Sequence, residues 1–192
     1  MAFGSSQTQD DLTPVGLFKR NQAKQLVKDG DVEGLMSLAT ADDEATRAEA
    51  LNALPLLNGA MSPEQRATVH DLATSAAADA DPDVRGQALF ALWETEGGDA
   101  IDHMVEGLRD PDAGMRTLVA AMLGAGDPSV VGDPLISLLR DDVPVVRQMA
   151  AESLASVGDP RAEAPLNKLA SDDPDEMVRA AARRALAQLG TG

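Results

Sequence analysis

The chain has no cysteine and no tyrosine, and only three phenylalanines and one tryptophan in 192 residues. Without cysteine it can form neither disulfides nor thiolate metal sites, which fits a reducing compartment. Aromatic residues make up 2% of the chain against an apolar fraction of 44%, so a core has to be built from Ala, Leu, Val and Met. Small side chains of this kind let helices approach one another closely. No apolar run reaches the roughly 18 residues that a membrane span needs. The opening segment MAFGSSQTQDDLTPVGLFKR lacks the basic start and apolar stretch of a secretory signal. The expectation is a soluble cytoplasmic protein with no membrane insertion. Lysine is also scarce, at positions 19, 24, 28 and 168 only, and 32 acids against 16 bases leave a net charge of −16. Such a charge repels phosphate backbones, so nucleic acid is not an expected partner.

What is abundant is periodic. Arg47, Arg85, Arg116, Arg147 and Arg179 recur at intervals of 38, 31, 31 and 32 residues. Each follows an acidic, often proline-containing turn and precedes an Ala- and Leu-rich run. A period of this length predicts stacked helix pairs, each burying its apolar face against its neighbours. The last unit reads as a helix over 162–170, a turn at Ser171-Asp172-Asp173-Pro174-Asp175, and a helix from Glu176 to Leu189 closed by Gly190. Before it stand 135–140 with 145–157, 100–109 with 113–123, 63–78 with 84–95, and a first unit over 32–57. In the turns, Asp81 is placed to cap free N–H groups, Pro82 fits a first helical turn, and Asp83 complements the positive helix end. Gly126-Asp127-Pro128 and Gly158-Asp159-Pro160 read as helix stops, with glycine ending a helix and proline preventing its continuation. The predicted fold class is therefore all-α: an α-solenoid of about five helix pairs over 31–192. Residues 13–30 are expected to form an N-terminal capping helix and residues 1–12 to be disordered. The long first interval contains the insertion-like stretch Leu57–Pro63, where the stack is expected to bend.

DPDVR at 81–85, DPDAGMR at 110–116 and DDPDEMVR at 172–179, each followed by an Ala/Leu-rich helix, resemble the HEAT-like repeat of the phycobilisome-lyase type. The resemblance covers roughly residues 31–190. It implies the helix-pair fold and is unspecific for function, because such repeats serve unrelated scaffolds. Lyases of this class attach or detach bilin chromophores, and nothing in the sequence marks a bilin pocket. Excess Asp, scarce Lys and abundant Ala resemble the proteins of salt-loving archaea, in which molar salt screens self-repulsion. The competing reading of the charge is an acidic surface that attracts a basic partner.

The five arginines have two readings: an anion-binding ladder, or structural staples using acids such as Asp83, Asp112, Asp142 and Asp175. The structural ladder is the expectation, because a planar guanidinium bridges several acceptors at once. Binding is expected elsewhere. In HEAT-type stacks the second helices line the concave face, and the positions one, five and eight after each arginine are the ones expected to be exposed. They read Ala48/Asn52/Pro55, Gly86/Phe90/Trp93, Thr117/Ala121/Gly124, Gln148/Glu152/Ala155 and Ala180/Arg184/Ala187. Phe90 and Trp93 stand where other units place small or polar groups. They read either as anchors for a partner segment or as filler for the bend. Glu152 and Arg184 read as a polar extension of the same face, or as a solvated helix face.

Chemistry is sparsely represented. His70 and His103 fall in different units, and neither adjoins a glutamate as in the His-Glu dyads of HEAT-type di-iron hydroxylases. No nucleophile elbow, phosphate loop or dinucleotide fingerprint occurs. The segment Asp29–Gly34 lacks calcium-loop spacing and reads as a turn with a helix cap. No catalytic residue, metal, cofactor or small-molecule substrate is expected. The resulting reading is a non-catalytic scaffold or adaptor for a protein partner, with archaeal taxis signalling as one specialisation. The alternative is an accessory subunit of a chromophore- or cofactor-handling, lyase-like enzyme.

Overall fold

The computed structural model describes residues 14–190, with side chains from residue 22. The expected disorder of residues 1–12 lies outside the described residues. Eleven α-helices follow one another, and no strand occurs among the described residues. They are α1 (Pro14–Asp29), α2 (Val32–Leu38), α3 (Glu44–Ala53), α4 (Pro63–Ala76), α5 (Pro82–Glu96), α6 (Ile101–Gly107), α7 (Ala113–Leu123), α8 (Pro128–Leu138), α9 (Pro144–Val157), α10 (Glu163–Asp172) and α11 (Glu176–Leu189). The fold is an α-solenoid: α1 is the capping helix and the other ten make five pairs. The pairs fall into two compact units, residues 1–100 and 101–192.

One face of each second helix explains the stacking. Counting from the repeated arginine, position −1 is Thr46, Val84, Met115, Val146 or Val178, and position +7 is always leucine: Leu54, Leu92, Leu123, Leu154 or Leu186. All ten are buried. Position +3 completes the stripe with Ala50, Ala88, Val119, Ala150 and Ala182, all at 0% exposure. Residues four apart share a helix face, so each stripe is a continuous apolar surface for packing against neighbouring helices of its own unit. Burying each leucine contributes about 2 kcal/mol, and the intervening alanines let the backbones close up. In the first unit α3 packs on α5; in the second α7 packs on α9 and α9 on α11.

Helix starts are written locally. Asp31, Asp43, Asp81, Asp112 and Asp175 each accept an N–H of the first helical turn, and Ser62 and Gln65 form a reciprocal capping box. Gly158 and Gly190 end α9 and α11 at φ 73° and 76°, a left-handed conformation that costs glycine nothing.

Several boundaries differ from expectation. Asp127-Pro128 and Asp159-Pro160 start helices rather than only ending them. Asp127 caps Ser129 with Pro128 as the first residue of α8, and Asp159 caps Arg161 at the head of the 3-10 turn Pro160–Ala162. Proline blocks continuation of the preceding helix, but its fixed φ also suits the first turn of the next. Helix α8 accordingly begins seven residues before the expected 135 and runs through Pro134. In the first unit α3 stops at Ala53, and Leu54–Ala60 is 3-10 helix, beginning just before Pro55. Helix α6 is preceded by a 3-10 turn over Gly97–Ala100. Ser171 and Asp172, expected in the last turn, belong to α10.

Candidate functional site

The arginines are placed alike by their helices, each three or four residues into a second helix and aimed at the turn beneath it. Arg47 donates through Nη1 to the carbonyls of Ala41 and Asp42, both at 2.9 Å. Arg85, Arg116, Arg147 and Arg179 repeat this bond to the residues six and five positions earlier. In Arg47, Arg116 and Arg147 the opposite edge of the guanidinium reaches an aspartate of the following layer. Arg47 Nε and Nη2 meet the Asp79 carboxylate at 3.0 and 3.1 Å. Arg116 meets Asp141 at 2.7 and 2.9 Å. Arg147 meets Asp173 at 2.7 and 2.9 Å.

For Arg116 and Arg147 the acids are thus not the expected Asp112 and Asp142. Asp112 and Asp175 spend their carboxylates on helix N–H groups. The aspartate six residues before the next arginine is the one that faces back. Its carboxylate also accepts the N–H two residues on: Asp81 to Asp79, Val143 to Asp141, Asp175 to Asp173. In Asp141 and Asp173 these donors favour the charged form. The hydrogen bond from Arg147 is the largest influence on Asp173 and sets its carboxyl below the ordinary range, against the effect of burial. Burial is the largest influence on Asp141 and pushes it up; the bonds from Arg116 and the Val143 N–H outweigh it. The same contacts raise Arg116 and Arg147, whose hydrogen bonds to Asp141 and Asp173 dominate.

Phe90 and Trp93 lie on α5 at the fifth and eighth positions and are both half-buried. The Leu54–Ala60 turn packs beside α5 and exposes 71% of Leu56. The face is less open than expected at two positions, because Gly86 and Ala155 are buried. In the second unit Glu152 accepts from Gln148 at 3.0 Å and from Arg184 at 3.3 Å. Arg184 is exposed and Glu152 half-buried, so this pair joins α9 to α11 across their outer surface.

One pairing was missed in the sequence. His70 on α4 meets Glu96, the last residue of α5, at 2.7 Å. The residues are 26 apart in the chain, and no adjacent-residue motif could have signalled them. Among the described residues no group of three or more His, Asp or Glu side chains is arranged to hold a metal ion, and no helix is long and apolar enough to cross a membrane.

HEAT repeats match residues 70–144 and 125–187, more than half of the chain. The chain belongs to the HEAT-repeat family. This HEAT-repeat chain is 36% identical over 107 residues to deoxyhypusine hydroxylase-B of Oryza sativa subsp. japonica, an alignment covering 55% of this chain and 35% of that one. It therefore spans about a third of that relative's length. In structure it is similar to an engineered protein at a TM-score of 0.61 and 19% identity, over 97% of this chain and 93% of the other. A designed armadillo repeat protein in complex with the peptide (KR)4 matches equally well, at 0.61 and 19%, over 96% and 95%. A second engineered protein gives 0.58 at 23%, with 96% of each chain covered. These likenesses are likenesses of fold.

Proposed function

We propose that this HEAT-repeat chain is a non-catalytic cytoplasmic adaptor that holds a segment of a protein partner on the surface of its second helices, with Phe90 and Trp93 as anchors. One observation carries the reading: both aromatics stay half-buried at positions where the other layers put small or polar groups. A half-covered indole, on a helix against which the turn carrying the exposed Leu56 packs, offers apolar area that is only partly used within the fold. Aromatic anchors of this kind dominate binding energy where they reach a partner. In the second unit, taken by itself, Glu152 and Arg184 offer a separate polar contact on α9 and α11. Signalling, including archaeal taxis, is the class of role this proposal includes.

The test is a pulldown from native lysate at high salt with the full chain as bait. A stoichiometric partner should be recovered, and Phe90→Ala or Trp93→Ala should weaken its binding at least tenfold. Trp93 emission should be quenched readily in the free protein and shift to the blue in the complex. Both alanine variants supporting full function in vivo would reject the anchors. The second reading, an accessory subunit of a cofactor-handling enzyme, draws on the 107-residue similarity to a hydroxylase. Absorbance above the protein band in purified material would favour it over the adaptor.

A further inference from the structure

The second helices of the first unit are set apart by charge. Residues 42–56 and 79–96, which hold α3, α5 and their entry turns, carry nine acids against two bases, Arg47 and Arg85. The corresponding stretches of the second unit, 110–125, 141–157 and 172–189, set nine acids against five arginines over three layers. Arg47 and Arg85 both turn Nη1 to the carbonyls of the turn beneath them. Phe90 and Trp93 therefore lie in the part of the ladder where acids are least offset.

Helix phase shows which acids accompany the aromatics. Counting again from the arginine, Gln87, Phe90 and Glu94 stand at +2, +5 and +9 of α5, and Glu49 and Asn52 at +2 and +5 of α3. Residues three and four apart share a face, and this one lies opposite the buried stripe at −1, +3 and +7. None of the five is buried. Glu94 is one turn beyond Phe90, about 6 Å along the axis. Glu49 is on α3, which packs against α5, at an interaxial distance of about 8–10 Å for helices in contact. Among the described residues neither glutamate has an ion-pair partner. An aromatic ring is thus flanked by a carboxylate along its own helix and another on the neighbouring one. An acidic segment would be repelled here, and a purely apolar one would desolvate both carboxylates without a partner. Trp93, three residues from Phe90, adds an indole, the ring on which a cation stacks best.

We propose that the segment held by Phe90 and Trp93 is basic: a bulky apolar side chain seated at Phe90, with lysine or arginine on both sides of it facing Glu49 and Glu94. This inference rests on the adaptor reading above and adds the chemistry of the occupant.

Trp93 is the only tryptophan, so its emission reports on this surface alone. The probe is an acetylated heptapeptide with a central leucine, an alanine on each side of it and two basic residues at each end, titrated into the full chain. Emission should shift saturably to the blue, with half-saturation at about 1 mM. The same peptide with glutamates for its basic residues should give no shift at about 10 mM. Glu49→Gln with Glu94→Gln should weaken the basic peptide roughly fivefold, the effect of two exposed ion pairs. Glu64→Gln with Asp71→Asn, an equal change of charge on α4, should leave it unchanged. Phe90→Ala, which keeps the reporter, should weaken it about tenfold. If Phe90→Ala weakens binding while both peptides act equally, or while the two double variants do, the adaptor surface stands and its basic specificity is overturned. If the charges matter and Phe90→Ala does not, the anchors are lost and this assignment with them. No response of Trp93 to either peptide overturns both. The comparison of the two peptides needs no variant, so it decides even if one unfolds.

Discussion

Arg147 and Arg184 both pair with an acid on the neighbouring layer, yet they should behave differently on removal. The Arg147–Asp173 side chains are 10% and 4% exposed, and the guanidinium also holds two turn carbonyls. Arg147→Ala would strand a buried carboxylate, a loss of about 3 kcal/mol in chemical denaturation. Arg184→Ala, from a pair 60% and 40% exposed, should cost less than about 1 kcal/mol. The paired aspartates also set a pH dependence. Asp141, Asp159 and Asp173 have carboxyls lowered in the fold, so their stabilisation is complete above the unfolded value of about 4 and is lost as pH falls through the folded values. Stability should hold from pH 7 to about 5 and fall steeply below 4. Asp173→Asn should start lower and fall less steeply, as acid titration followed by circular dichroism would show. The arginines themselves were legible in the sequence by spacing. Their acceptors were not, because several aspartates crowd each turn and only the fold decides which one faces back. Phe90 and Trp93 were legible as exceptions, whereas their half-burial depends on how α3 and the Leu54–Ala60 turn sit against α5.

Second helices could be read almost to the residue: α7 and α11 have the expected limits, because aspartate caps and an apolar stripe of fixed phase mark them. First helices were harder. Proline at 128 and 160 ends one element and opens another, and both readings use the same dihedral. The segment around Gly132 shows what this junction needs. Gly132 on α8 is buried, and a Cβ there would collide with the Asp159 carboxylate and Arg161 Nη2. Asp159 is 1% exposed and accepts both the N–H and the guanidinium of Arg161, which also reaches Asp133 and the carbonyl of Pro128. The glycine lets the carboxylate press against the helix. Gly132→Ala should therefore destabilise the second unit by about 2 kcal/mol, as overpacking at a tight site does. Gly59→Ala, with nothing within 4 Å of an added Cβ, should lie within about 0.5 kcal/mol of the parent. Thermal melts of the two variants make the comparison.

Across the whole molecule a net charge of −16 on 192 residues loads the folded state with self-repulsion. Raising potassium chloride from about 0.1 to about 2 M shortens the screening length from roughly 10 Å to under 3 Å, so the melting temperature should rise. The partly buried ladder pairs are screened far less than the surface charges. A fall in melting temperature with salt would show that exposed ion pairs outweigh repulsion. The ladder also has a direction in the second unit, where the forks of Arg116 and Arg147 both point to the following layer. Under tension this gives the second unit a mechanical grain. Peeling α10 and α11 away takes Asp173 from Arg147, and losing the α8–α9 pair next takes Asp141 from Arg116, so each lost pair breaks a fork of the same kind. Stretching between its termini should release the chain in steps of 31 or 32 residues, the arginine spacing in that unit. Each step adds roughly 110 Å of contour length.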